Sequence, residues 1–339
     1  GVAALLLYGR LHWRGVEVDK GAYTREFPLF GTFCRLTFWG DAAVVGATAE
    51  AVQQELQALH ETLNVFDADS ELARLNATAA AEPFVCSPRL WQALDAARQA
   101  YEDTDGAFDI SVGPLMKLWG FHRKRETLPS AAAVSETLVL IGLGKVVFND
   151  QAKSVSFPVA GMALDFGGIA KGYALEAAVA IARGAGIRSG LIDLGGNIYC
   201  FPVAPPGRRD YRIGIRNPWD DNGIIDTVPM LDRCIATSGN YENTRVLEGV
   251  TVHHIIDPRT GWPVPSVASV TVVSPRGTHS DVFSTAIFVR GQPLAEALCD
   301  RYPGTQVMTI RVTDEGKPVT KRWDWGGPGK RATTEVKGG

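Results

Sequence analysis

Nowhere does this chain bring two cysteines into CxxC spacing. Its five cysteines, Cys34, Cys86, Cys200, Cys234 and Cys299, stand far apart. Zinc ribbons and dithiol redox centres need thiolates close in sequence, so both are excluded, and an odd count leaves no complete disulfide framework. Isolated cysteines in apolar surroundings read as small core residues. An excess of positive charge is missing too: 34 Lys and Arg face 37 Asp and Glu, for a net charge of -3. A nucleic-acid partner, whose phosphates call for a basic surface, is therefore not expected. There is no GxSxG elbow, which argues against an α/β-hydrolase triad. Neither GxxxxGK[ST] nor GxGxxG occurs, so the ordinary nucleotide-binding folds are not indicated. The apolar run Val2–Tyr8, followed by Arg10, His12 and Arg14, is far too short to span a bilayer. It reads either as the remnant of a signal peptide or anchor or as a buried first strand.

What remains is a globular composition, 45% hydrophobic and 21% charged over 339 residues, ample for a sizeable core. Phe33–Trp39 predicts an early strand. Apolar residues recurring at three and four predict a helix over Val44–Leu63. Ser87-Pro88 is an N-cap followed by proline at the first helical position, and Leu90, Trp91, Leu94, Ala97 and Tyr101 then share one face. A further helix is predicted from Ile169 to Arg183, closed by Gly184 and Gly186, and another from about Ser280. Strands are predicted at Leu191–Leu194, Tyr211–Arg216, Val252–Ile256, Val267–Ser274 and Gln306–Val312. Without regular βαβ alternation the pattern points to an α+β architecture, one domain with two lobes. The expected division is an N-terminal segment at 1–25, the domain at 26–322, and a polar tail at 323–339.

Four stretches carry candidate chemistry. In Leu164-Asp-Phe-Gly-Gly-Ile-Ala-Lys-Gly-Tyr173, two glycines lead into a helix start, so free N–H groups and the helix dipole make an anion site that Lys171 reaches. The same glycines serve equally as a plain turn. In Ser280-Asp-Val-Phe-Ser-Thr-Ala286, Asp281 and Thr285 lie four apart on one helix face, a carboxylate and a hydroxyl suited to a hard cation such as Mg²⁺. An aspartate in a first helical turn also simply complements the dipole. His253-His254-Ile-Ile-Asp-Pro-Arg-Thr-Gly261 is a strand running into a turn, and adjacent histidines there point to opposite faces. Asp105-Gly-Ala-Phe-Asp109, followed by Leu118-Trp-Gly-Phe121, forms either a loop that stacks a planar ring or a packed loop.

Taken in this order, these segments resemble the ApbE family of FAD:protein FMN transferases. The resemblance runs from about Phe30 to Gly291, through Phe30-Gly-Thr32, Phe66–Asn76, Gly106–Asp109, Leu118–Phe121, Asp165–Gly172, Leu194-Gly-Gly196, Ala236–Gly239, His254–Gly261, and Asp281 with Thr285. It implies a single α+β domain of mixed and antiparallel sheets with packed helices, holding the flavin dinucleotide in a cleft. It implies Mg²⁺ held by Asp281, Thr285 and the carbonyl of Gly168. It also implies an FAD site lined by Phe30, Phe66, Ala107, Phe108, Asp109, Asp165, Lys171 and Ile256. Three positions depart from the usual pattern: Phe30 stands where many members have methionine, Phe66 where many have Tyr or Trp, and Gly168 where small side chains are commoner.

FAD is then the substrate. A partner protein's Thr or Ser hydroxyl attacks the FMN-side phosphorus and AMP departs, the partner being a subunit of a membrane redox complex. Lys171 steadies the leaving phosphate, and His254 is the candidate base, because an imidazole titrates near neutrality. The family habit and the apolar start imply an exported, periplasmic protein associated with the inner membrane, although no lipobox cysteine precedes the domain. Two other activities compete: Mg²⁺-dependent hydrolysis of FAD to FMN and AMP, and FAD binding without catalysis.

Overall fold

A computed structural model describes residues 21–313, 315, 317–326 and 333–336. The apolar segment Val2–Tyr8 lies outside the described residues, as does most of the expected polar tail. Within that tail, Thr333–Val336 forms a strand paired antiparallel with Val319–Arg322. The α+β class expected from the sequence is observed, with helices packed on antiparallel sheets. The chain divides into two compact units, neither a continuous stretch of sequence. The first comprises residues up to His60, Lys171–Thr237 and Thr271–Asp281; the second comprises Glu61–Ala170, Ser238–Val270 and the residues from Val282 onward.

In the first unit, strands Tyr23–Leu29, Thr32–Trp39, Ser189–Leu194, Asn197–Cys200 and Arg233–Gly239 are neighbours in that order, each pair antiparallel. The outermost, Tyr23–Leu29, carries Pro28 and two charges. Proline is tolerated at a sheet edge because no ladder donor is needed there, and that composition is what hides the strand from a sequence reading. The helix Ala42–Leu63 begins where Asp41 Oδ1 accepts from the N–H groups of Ala43 (3.0 Å) and Val44 (3.2 Å). It lays Val45, Ala49, Val52, Leu56 and Leu59 on the sheet at intervals of three and four, beside Ala174, Leu175, Ala178 and Ala182 of the helix Ala170–Gly184.

In the second unit, Ser87 Oγ accepts from Leu90 N–H at 3.2 Å and starts the helix Pro88–Asp103. Leu115, Trp119, Phe121, Val134, Ile141, Leu247, Val252 and Ile256 form its core cluster. The strand expected over Val252–Ile256 is instead Val250–His253, paired with Thr244–Leu247. Beyond it the ring of His253 takes the N–H of Ile255 (3.3 Å) and Ile256 forms an isolated bridge with Pro263, so the chain bends instead of continuing. Val267–Ser274 is buried along its whole length, as its apolar and small-residue run requires. The helix expected from Ser280 spans Gly277–Arg290. Its first N–H groups include that of Thr278, which donates to Glu176 at 2.8 Å, and this longer-range cap sets the start earlier than the sequence suggests.

Candidate functional site

Of the residues singled out by the sequence, Phe30, Lys171 and Asp281 belong to the first unit. Phe66, Ala107, Phe108, Asp109, Asp165, Gly168, His254, Ile256 and Thr285 belong to the second.

In the first unit Phe30 and Gly31 are the two-residue turn between paired Leu29 and Thr32, both at positive φ (51° and 70°). Such hairpins favour Asn-Gly or Asp-Gly, because an L side chain with a bulky group is strained there. The Phe30 ring stands edge-on to His60, with centroids 5.3 Å apart and planes at 84°. A large ring kept in a costly conformation points to a use for the ring beyond the turn.

Asp281 is buried, and its Oδ2 accepts the N–H of Gly172 at 2.7 Å. Burial raises its carboxyl above the ordinary range, and the positive charge of Lys171 works against that rise. Gly172 has no room for a side chain: a Cβ there would lie 2.5 Å from Gly277 O and 2.6 Å from Asp281 Cβ. The helices Ala170–Gly184 and Gly277–Arg290 thus meet through bare backbone beside the carboxylate.

Asp193 is a residue the sequence reading passed over. It is 1% exposed, its Oδ1 accepts from Gly196 N–H at 2.7 Å, and its Oδ2 has no hydrogen-bond partner. The neighbouring marker Leu194-Gly-Gly196 was the available signal, since an acid ending a strand before two glycines invites this cap. Burial pushes its carboxyl up to about 6, against the charges of Arg35 and Lys171. A carboxyl raised in this way favours the fold while protonated, and that contribution is lost as pH rises from the ordinary 3.8 through about 6. Asp193→Asn, whose amide oxygen can still accept from Gly196, should escape the loss. Its stability relative to the parent should climb by up to about 3 kcal/mol between about pH 4 and pH 7. Urea unfolding across that range checks this, and parallel pH profiles for the two proteins would refute it.

In the second unit the loop Leu164–Gly168 is tightly fixed. Asn76 brackets Leu164, donating to its carbonyl at 2.9 Å and accepting its N–H at 2.8 Å. Asp165 N–H donates to Ile110 O at 2.7 Å, and Asp165 Oδ1 accepts Gly167 N–H at 2.7 Å. The other oxygen, Oδ2, lies 2.6 Å from Nε2 of His122, a residue the sequence reading did not single out. His122 in turn meets Phe66 edge to face, with centroids 5.4 Å apart.

Phe108 lies against Gly168, where a Cβ would come 2.9 Å from the ring and 3.8 Å from Thr285 Oγ1. That is the physical reason a glycine stands here. Thr285 Oγ1 shares a 3.1 Å hydrogen bond with Ser238. Asp109 is buried, and its oxygens accept the N–H groups of Ser111 (2.7 Å) and Leu143 (3.1 Å). Desolvation raises its carboxyl, with the Ser111 hydrogen bonds opposing. Its visible work is to shape the Ala107–Ser111 loop. Ala107 and Ile256 are buried, Ile256 within the core cluster.

Of the two adjacent histidines, His253 is structural. Its Nε2–H donates to Val264 O at 2.9 Å, and burial lowers its pKa. His254 donates from Nδ1 to Glu242 O at 3.2 Å and stands edge-on to Phe121. This tautomer puts the ring lone pair on Nε2.

No group of three or more His, Cys, Asp or Glu side chains that could hold a metal ion occurs among the described residues. A set of one carboxylate, one hydroxyl and one main-chain carbonyl nevertheless suits Mg²⁺, which takes oxygen donors and leaves positions for water and phosphate. Asp281 and Thr285 stand four residues apart on the helix Gly277–Arg290.

Comparison with known proteins gives one consistent result. The sequence model of the ApbE family matches residues 30–309. The chain is 34% identical over 304 residues to the FAD:protein FMN transferase of Treponema pallidum, covering 85% of this chain and 84% of that protein. It is 32% identical to a Klebsiella pneumoniae protein of the same name, covering 80% and 84%. Among solved structures, the ApbE protein of Thermotoga maritima superposes with a TM-score of 0.79 at 31% identity, covering 88% of this chain and 96% of that one. The flavin transferase ApbE of Vibrio cholerae gives 0.77 at 26%, covering 89% and 97%.

Proposed function

This chain belongs to the ApbE family, and from that premise we propose that it moves the FMN half of FAD onto a hydroxyl of an acceptor protein. The observation that carries the reading is the match, over 85% of this chain, to a relative named FAD:protein FMN transferase at 34% identity. The acceptor's Thr or Ser oxygen bonds to the FMN-side phosphorus, the pyrophosphate P–O bond breaks, and AMP leaves.

The chain's residues divide the work as follows. The loop Asp165–Gly168 and the start of the helix Ala170–Gly184 receive the pyrophosphate, because the helix N-terminus offers N–H groups and positive potential. Lys171 adds a full positive charge to the departing phosphate. Phe30, Phe66, Phe108 and Ile256 give apolar surface to the flavin dinucleotide, while Ala107, Asp109 and Asp165 shape the loops around it. Asp281, Thr285 and the carbonyl of Gly168 are the donors assigned to Mg²⁺. Once bound there, the ion supplies Lewis-acid neutralisation of phosphoryl charge.

His254 takes the proton of the attacking hydroxyl, and its Nδ1–H hydrogen bond to Glu242 O supports that role by leaving the lone pair on Nε2. His254→Gln should lower turnover about a hundredfold. Unchanged turnover would remove His254 from the mechanism.

The acceptor is assigned to a membrane redox complex and the enzyme to the periplasmic side of the inner membrane, both on the family resemblance. No helix among the described residues is long and apolar enough to cross a membrane. The test is incubation with FAD, Mg²⁺ and a candidate acceptor bearing a Thr, read by intact mass. A gain of one FMN that disappears with EDTA supports the transferase. Free FMN and AMP without an adduct would make the enzyme a pyrophosphatase, and bound FAD with neither product would leave a flavin-binding protein.

A further inference from the structure

His122 follows directly on the run Leu118–Phe121, yet it does not continue that run's packing: Phe121 joins the core cluster and His122 does not. Its imidazole is instead committed to two other residues. Nε2–H donates to Asp165 Oδ2 at 2.6 Å, and the ring meets Phe66 edge to face at 5.4 Å and 79°. Asp165 already has its backbone N–H on Ile110 O and its Oδ1 on Gly167 N–H. The hydrogen bond from His122 therefore removes the last freedom of that carboxylate. Phe66 is the opposite case: the residue is 71% exposed, and its ring stacks edge to face on this imidazole. One side chain thus holds both a carboxylate of the Asp165–Gly168 loop and an exposed aromatic ring.

We propose that His122 is a positioning residue for FAD, holding the Asp165 carboxylate and the Phe66 ring in the arrangement the dinucleotide meets. The inference rests on the transferase reading for the identity of the ligand. A charge-assisted hydrogen bond and a preset ring reduce the ordering left to be done when FAD binds, so the effect belongs to affinity. The chemical step, which falls to other residues, should change little.

The experiment compares His122→Ala and His122→Gln with the parent protein. FAD affinity is read by flavin fluorescence, turnover and KM for FAD by FMN transfer, and thermal stability by melting. His122→Ala should weaken FAD binding and raise KM about tenfold with kcat changed less than about twofold. Gln, whose amide N–H can reach Asp165, should recover part of the affinity without the ring contact. In an Asp165→Asn, Phe66→Ala background, removing His122 should cost little more. Unchanged FAD affinity in His122→Ala overturns the proposal while leaving the transferase reading intact. So does a joint fall of kcat and melting temperature at constant affinity, because that marks a merely structural residue. Failure of the parent protein to bind FAD at all would sink the transferase reading itself, and this inference with it.

Discussion

Replacing Asp281 by Asn should abolish FMN transfer, lowering turnover about a thousandfold or more, while the protein stays folded. The two effects separate because the carboxylate does two jobs. As a hydrogen-bond acceptor it takes the N–H of Gly172 at 2.7 Å, and an asparagine carbonyl oxygen can do the same. As a buried negative charge it is the one carboxylate in the proposed metal-donor set, and Asn cannot replace that. Burial raises its carboxyl, so ionisation opposes folding; the stability of the protonated form is present at low pH and is lost as pH rises through the raised value. Removing the charge should therefore leave the melting temperature at neutral pH equal to or above that of the parent. Alanine is the poorer test, since it strands the Gly172 N–H and adds about 1–3 kcal/mol of destabilisation unrelated to chemistry. Intact-mass assay of the acceptor, alongside melting curves, decides the matter. An Asn variant that transfers FMN at the parent rate would exclude Asp281 from the reaction.

The contrast between the Asp281 helix and His122 shows what a sequence reveals of local and of remote arrangements. The placing of Asp281 and Thr285 on one helix was legible because local spacing alone sets the two oxygens one turn apart. Ser87 and the helix it caps were legible for the same reason. His122 acts through a residue remote in sequence: the imidazole bonds a carboxylate 43 positions away, and no local period announces that pairing. Asn76, whose amide brackets Leu164 from 88 positions away, is another such case. The hairpin turn at Phe30 is hidden for a different reason. An Asn-Gly pair would have announced the hairpin, whereas Phe-Gly does not, and the chain accepts the strain of a left-handed phenylalanine at that turn. The long hairpin Tyr211–Asn217 with Asp220–Met230 was half seen, because its second strand carries Asp, Asn and Gly at positions that break the β pattern.

Gly172→Ala should be damaging although it adds a single methyl to a helix. In most helices the substitution helps, by about 1 kcal/mol, because alanine has the higher helix propensity. Here the added carbon would sit 2.5 Å from Gly277 O, 3.0 Å from Gly277 C and 2.6 Å from Asp281 Cβ. The first two are backbone atoms, and the third is fixed to a helix backbone, so none can rotate out of the way. The start of that helix is held further by Glu176, which accepts from Thr278 N–H at 2.8 Å and pairs with Arg276 at 3.2 Å. Overpacking of this kind costs about 3 kcal/mol, which outweighs the propensity gain and leaves a net loss of about 2 kcal/mol. Relief by moving the helices apart would stretch the Gly172–Asp281 hydrogen bond and shift the carboxylate, so FMN transfer should fall together with stability. Gly184→Ala is the matched control: it ends the same helix, and a Cβ there meets nothing within 4 Å. That variant should be neutral or gain less than about 1 kcal/mol, with transfer unaffected. Urea unfolding of both variants distinguishes the two cases, and a Gly172→Ala protein at least as stable as its parent would mean that the close helix contact does not constrain the carboxylate.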